Sequence, residues 1–183
     1  MEITKIGVVG AGQMGNGIAH VAATTGYEVV LMDVVAEQLD KARATIDKNL
    51  GRQVKKERIS AEDAAAAMAR IEFTSDIEAM SSCQLLIEAA TERVELKHKI
   101  FADLDRIAPE GAILATNTSS ISITDIAAKT SRPEKVIGMH FMNPVPMMKL
   151  VEVIRGLATD DETTRTVMEL SKELGKTPVE VND

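Results

Sequence analysis

An apolar run, Ile6-Gly7-Val8-Val9, ends in Gly10-Ala11-Gly12-Gln13-Met14-Gly15, and an amphipathic stretch follows at once with Ile18, Ala19, Val21 and Ala22. Strand, glycine turn and helix in that order form an anion-binding device. Gly10 lets the chain turn sharply, Gly12 lets backbone approach a pyrophosphate, and Gly15 lets helix and strand pack closely. The unpaired N–H groups at the helix start, with those of Ala11, Gln13 and Met14 among the turn's own, face the phosphates. A second apolar run, Tyr27 to Met32, ends in Asp33. An acidic residue about 20 positions beyond the glycines is placed to accept hydrogen bonds from an adenosine ribose. The same carboxylate repels a 2′-phosphate, so NAD is expected over NADP. The competing reading is a turn without ligand, with Asp33 capping the next helix.

The rest of the chain alternates. Residues 36–58 read as a helix with Leu39, Ala42, Ile46, Leu50 and Val54 at helical spacing. Its end is basic, with Arg52, Lys55, Lys56 and Arg58. These cations either complete a helix C-terminus or anchor a polyanionic substrate tail. A helix capped by Ser60 covers 60–69. Strands are expected at 71–74, 84–90, 112–116 and 135–140. Helices are expected at 92–108, with Val94, Ile100, Leu104 and Ile107 on one side, and at 122–129. Strand and helix in alternation give a doubly wound parallel sheet, whose ligands sit beyond the carboxyl ends of the strands. After His140 the alternation breaks. Asn143-Pro144-Val145-Pro146 is too short for a crossover helix, so the strand 149–154 is expected to pair antiparallel to its predecessor or at an angle. A helix at 160–174 and a strand at 177–181 follow.

Composition excludes some roles. A net charge of −7 and the absence of Trp argue against a nucleic-acid partner. No apolar run approaches the roughly 20 residues of a membrane span. One cysteine, Cys83, and no evident leader point to a cytoplasmic protein without disulfides. No cluster has metal-ligand spacing. At 183 residues the chain is expected to be one NAD-binding domain, 1–183, with no second domain.

The chemistry candidates lie at strand ends. His140 closes a strand. Glu152 interrupts Leu150-Val151-Glu152-Val153-Ile154 and shares a face with Leu150 and Ile154. A carboxylate on an apolar strand needs a partner, and folding back through Asn143–Pro146 brings it towards His140. A carboxylate on one imidazole nitrogen leaves the other poised as a general base. The alternative is an edge-strand Glu facing water beside an unrelated His. Asn117 and Ser119 suit a nicotinamide ribose or a substrate oxygen, or else a helix N-cap cluster. His20 is expected to be structural, His98 solvated, and Cys83 a small apolar residue.

The stretches Gly10–Ala19, Ile87–Glu92, Asn117–Ser120, Gly138–Pro146 and Lys149–Val153 together resemble the L-3-hydroxyacyl-CoA dehydrogenases. The resemblance implies a Rossmann-type fold with extra C-terminal strands. His140 would be the general acid/base, Glu152 its orienting carboxylate, and Ser119 a contact to the substrate 3-oxygen. NAD would meet Gly10 to Gly15, Asp33, Glu92, Lys97, Asn117, Ser119 and Asn143. Coenzyme A would meet Asn49 and Lys56. The reaction implied interconverts L-3-hydroxyacyl-CoA, such as 3-hydroxybutyryl-CoA, and the 3-ketoacyl-CoA. Alternatives are a dehydrogenase of another small hydroxy acid and a non-catalytic NAD-binding protein on this scaffold. The family's helical domain, which closes over substrate and makes a homo-oligomer, has no counterpart in these residues. The 183-residue chain is therefore expected to bind NAD with little turnover, and to expose an apolar face.

Overall fold

The computed structural model describes residues 1–183. Eight strands form one sheet: β1 (Lys5–Val9), β2 (Glu28–Met32), β3 (Ile71–Thr74), β4 (Leu85–Glu88), β5 (Ile113–Thr116), β6 (Val136–Phe141), β7 (Leu150–Arg155) and β8 (Thr177–Asn182). The six helices are α1 (Gln13–Thr25), α2 (Ala36–Lys55), α3 (Ala61–Ala69), α4 (Val94–Ile107), α5 (Ile123–Ala127) and α6 (Asp161–Glu173). The strand order is β3-β2-β1-β4-β5-β6-β7-β8, parallel from β3 to β6. This is the doubly wound, Rossmann-type sheet with extra strands at its C-terminal edge. β7 runs antiparallel to β6, and β8 returns parallel to β7 through α6. The order reverses between β1 and β4, which opens a crevice at their carboxyl ends.

Alternate side chains of each buried strand enter opposite layers. Ile6, Val8, Val29, Leu31, Leu85 and Ile87 pack towards α1, α2 and α6. Val30, Leu86 and Leu114 pack towards α4 and α5. A 3-10 turn over Ile77–Ser82, which no periodicity signalled, inserts Met80 beneath Gly7. Cys83 is buried beside it, and burial pushes its thiol up to about 11. Ser60 caps α3 by accepting the Asp63 N–H.

Three local expectations are corrected. The buried stripe of α4 runs through Lys97, Phe101 and Leu104, not Val94, which is exposed. A charged side chain occupies a core position there because it is paired. His98 is not solvated: it is half-buried, and its Nε2 is enclosed without a partner. On β7 the buried residues are Val151 and Val153, whereas Leu150 is exposed. The face that carries Glu152 is open at Leu150 only, since Ile154 on the same face is half-buried against the layer of α4 and α5. Methionines divide similarly. Met32, Met80 and Met139 fill the core, while Met147 and Met148 are exposed, as are Leu150 and Val179. No helix is long and apolar enough to cross a membrane.

One surface network fastens the sheet's parallel half. The Arg132 guanidinium donates to the Asp105 carboxylate (2.8 Å) and to the carbonyls of Asp105, Ala108 and Pro109. Burial works against the Asp105 charge, but donation from the Ser131 N–H, Arg132 and the Ser131 hydroxyl holds the carboxyl below its ordinary range. The unfolded chain therefore binds more protons in acid. The stabilisation is complete above about pH 4 and is lost as pH falls through the lowered folded value. Asp105→Asn should cost about 1–2 kcal/mol at neutral pH. Urea denaturation should find the cost shrinking below about pH 3, and an undiminished cost there contradicts this assignment.

Candidate active site

The glycine turn lies at the crevice. Gly10 takes φ +103°, and a Cβ there would lie 2.7 Å from Ala90 Cα. A Cβ on Gly15 would lie 1.6 Å from the Gly10 oxygen, so only glycine lets α1 start against this turn. A Cβ on Gly12 would meet nothing within 4 Å. That open space lies in front of the N-terminus of α1, which has no side-chain cap. Free N–H groups and open space together fit a pyrophosphate. Asp33 accepts the Ala11 N–H at 2.9 Å through one oxygen and the Val35 N–H at 2.9 Å through the other. The carboxylate thereby ties the turn to β2 and keeps lone pairs for a ribose. It does not cap α2: the N-cap of α2 is Val35, with no side-chain bond. Beside Asp33 a cavity of about 470 Å³ is walled by Val9, Met32, Val34, Ile77, Leu96 and Ile100. Its apolar walls and size suit a flat aromatic base.

Strand by strand, hydrogen bonds carry the site across the sheet. Ala89 N–H donates to Val9 O (2.8 Å) and Asn117 N–H to Glu88 O (2.8 Å). Phe141 N–H then donates to Asn117 Oδ1 (2.8 Å). His140 is thereby placed three strand spacings, about 14 Å, from the glycine strand. His140 and Glu152 are direct partners in the β6–β7 register. His140 Nδ1 lies 2.9 Å from Glu152 Oε1. A carboxylate only accepts, so in the neutral imidazole Nδ1 carries the proton and Nε2 presents a lone pair. Both side chains keep access to solvent, at 20% and 37%.

Asn117 and Ser119 are not the N-cap of α5. Ser122 is, accepting the Asp125 N–H, while Thr118 accepts the Ile121 N–H. Asn117 therefore serves β6, and the exposed Ser119 hydroxyl makes no bond within the chain. Glu92 is exposed and accepts from the Thr118 hydroxyl at 2.9 Å. Asn143 is exposed on the β6–β7 loop.

Lys97 is not at the surface of this site. It is fully buried, with Nζ 2.5 Å from Glu88 Oε1, itself fully buried, and 3.2 Å from Thr116 Oγ1. The other Glu88 oxygen accepts the N–H groups of Ala90 and Thr91. The pair thus shapes the turn against which Gly10 packs. Glu88 was missed as a functional candidate. The signal was present, since it interrupts the apolar run Leu85-Leu86-Ile87.

A second cavity, about 380 Å³, lies between α2 and the β6–β7 loop. Asn49, Arg52, Lys56, Arg58 and Pro144 line it, with the His20–Gln53 pair (3.0 Å) at its floor. Asn49 and Lys56 thus line the same cavity. None of the three cations forms an ion pair with a carboxylate. Lys56 sits at the C-cap of α2, and Arg58 follows Glu57 at φ 58°. His20 is buried, which pushes its imidazole towards the neutral form. No group of three or more His, Cys, Asp or Glu side chains gathers as a metal site.

A family model described as "3-hydroxyacyl-CoA dehydrogenase, NAD binding domain" matches residues 5–183. The 3-hydroxybutyryl-CoA dehydrogenase of Bradyrhizobium diazoefficiens is 53% identical over 174 residues, which are 95% of this chain and 59% of that protein. A probable 3-hydroxybutyryl-CoA dehydrogenase of Bacillus subtilis is 49% identical over 183 residues, covering all of this chain and 64% of its relative. The crystal structure of (S)-3-hydroxybutyryl-CoA dehydrogenase from Ralstonia eutropha superposes with a TM-score of 0.97 at 48% identity. It is matched over 100% of this chain and 64% of that one. The chain thus spans about three-fifths of the length of these relatives.

Proposed function

This chain belongs to the family of 3-hydroxyacyl-CoA dehydrogenase NAD-binding domains, and we propose that it carries the acid/base and cofactor machinery of an enzyme that interconverts L-3-hydroxybutyryl-CoA and acetoacetyl-CoA. The observation that carries this reading is the His140–Glu152 pair, opposed across β6 and β7 at the carboxyl end of the sheet. When bound, NAD supplies the acceptor for the hydride that leaves substrate C3.

Gly10 to Gly15 and the start of α1 hold the pyrophosphate, and Asp33 holds the adenosine ribose. Glu92, Asn117 and Asn143 border the nicotinamide end, with Lys97 acting from below through Glu88. His140 Nε2 accepts the 3-hydroxyl proton as the hydride departs, and the resulting imidazolium faces the Glu152 carboxylate. In the reverse direction the same nitrogen returns the proton. The Ser119 hydroxyl donates to the 3-oxygen and holds it towards His140. The cavity at Lys56, Arg52 and Arg58 favours a polyanionic tail, which singles out a coenzyme A ester among hydroxy acids. Asn49 lies on its wall and offers an amide. A whole enzyme of this kind is expected to be a homo-oligomer acting in the cytoplasm.

The test is reduction of acetoacetyl-CoA with NADH and with NADPH. It is run on this chain and on a chimera joining it to the C-terminal part of the Bradyrhizobium relative. Turnover is expected chiefly in the chimera, with free CoA as a competitor. NADH should bind roughly a hundredfold tighter than NADPH, because the Asp33 carboxylate faces the 2′-phosphate as a like charge worth a few kcal/mol. Equal affinity for the two cofactors would remove Asp33 from the site. Indifference to CoA would favour another hydroxy acid.

A further inference from the structure

Lys176 opens the last crossover's return to β8 and is 8% exposed. It forms no ion pair. Its ammonium donates instead to two carbonyls of one loop, Val145 O at 2.5 Å and Met148 O at 2.7 Å. That loop joins the strand of His140 to the strand of Glu152 and carries Asn143. Its other side is pinned as well. Val145 is buried against α1, where a Cβ on Gly17 would lie 2.7 Å from Val145 Cβ. Inside the loop, the N–H groups of Met147 and Met148 both donate to Pro144 O. Lys149, just beyond, donates to Gly175 O at 3.3 Å, a second tie to the same turn.

A buried ammonium without a carboxylate is costly. Burial, with Lys149 nearby, pushes Lys176 below its ordinary value. An apolar side chain of the same length would fill the space without that cost, so the charge answers to the two carbonyls. We propose that Lys176 is a positioning residue that locks the Asn143–Met148 loop between α1 and β8 and so sets the alignment of His140 with Glu152. The proposal rests on the reading of His140 as the acid/base, where small misplacements cost large factors in rate. Its readouts need no turnover, so it fails separately from that reading.

The experiment uses the 183-residue chain, with Lys176→Met compared with wild type and Lys176→Arg. In Lys176→Met the amides of Met147 and Met148 should exchange with solvent about tenfold faster or more. The NMR signal of the His140 Nδ1–H, assigned by its loss in Glu152→Ala, should broaden or vanish. Lys176→Arg, which keeps donors for both carbonyls, should restore the signal. Should the Met variant not fold, Lys176→Gln, with an amide for one carbonyl, is read in the same way. Unchanged loop exchange together with an intact His140 signal would overturn the proposal and leave Lys176 a contributor to stability alone.

Discussion

His140→Gln should lower the rate of acetoacetyl-CoA reduction by about a thousandfold and leave NADH affinity within about twofold. Glutamine keeps the size and one donor of the imidazole but cannot take and return a proton. The cofactor cradle is built by Gly10–Gly15, three strands away, and Asp33, four strands away, and should not sense the change. Glu152→Gln should cost less, roughly a hundredfold. Its amide oxygen still accepts from Nδ1–H, but the charge that steadies the imidazolium is gone. The double variant should be little worse than His140→Gln alone, because the two act as a unit. Stopped-flow reduction with NADH in the chimera, alongside NADH fluorescence titration, checks all three. Turnover retained in His140→Gln would remove this residue from the chemistry, and a matching loss of NADH binding would recast it as part of the cradle.

Lys97→Met should be the most destabilising single change in the chain, at about 3–5 kcal/mol. Methionine fills the same volume, but the fully buried Glu88 carboxylate loses its only ionic partner and keeps only the Thr116 hydroxyl and two N–H donors. A loss of that size is a large share of the 5–15 kcal/mol that holds a typical domain together. Pairing it with Glu88→Gln should recover most of the loss, since a neutral side chain can still accept the Ala90 and Thr91 N–H groups. The comparison distinguishes a stranded charge from a cavity. Urea midpoints for the single and double variants measure it, and a double variant no more stable than Lys97→Met would contradict the stranded-charge account. NADH affinity should fall as well, because the Ala89–Thr91 turn against which Gly10 packs hangs on Glu88.

The order of elements was legible along the chain. Alternating apolar runs and 3.6-residue stripes marked all eight strands and all six helices, because burial of one face is a local pattern. Gly10, Gly12 and Gly15 were legible for another local reason. Each answers a steric demand of a turn that three residues define, and the demand shows as a clash at Gly15 and as open space at Gly12. The break in alternation after His140 announced a strand reached without a crossover helix, and the structure makes it antiparallel, with Glu152 opposite His140.

Other residues were not legible because their roles depend on partners remote in the chain. Lys97 stands nine residues from Glu88 but nineteen from Thr116, and only the family resemblance, not the residue pattern, had singled it out. Asn117 and Ser119 offered two readings that only the true cap, Ser122, could separate. Lys176 gave no sign, since an isolated lysine beside a glycine is ordinary until two carbonyls thirty residues away converge on it. The sequence alone thus determined the fold class and the glycine turn, which follow from short-range periodicity and local steric demand, whereas for His140 and Glu152 it left both a pair and two unrelated side chains open. The tertiary structure alone decided which charges are buried, what holds each one, and how the loop between the two reacting strands is fastened. Those outcomes turn on desolvation and on donors and acceptors that meet only when distant segments pack.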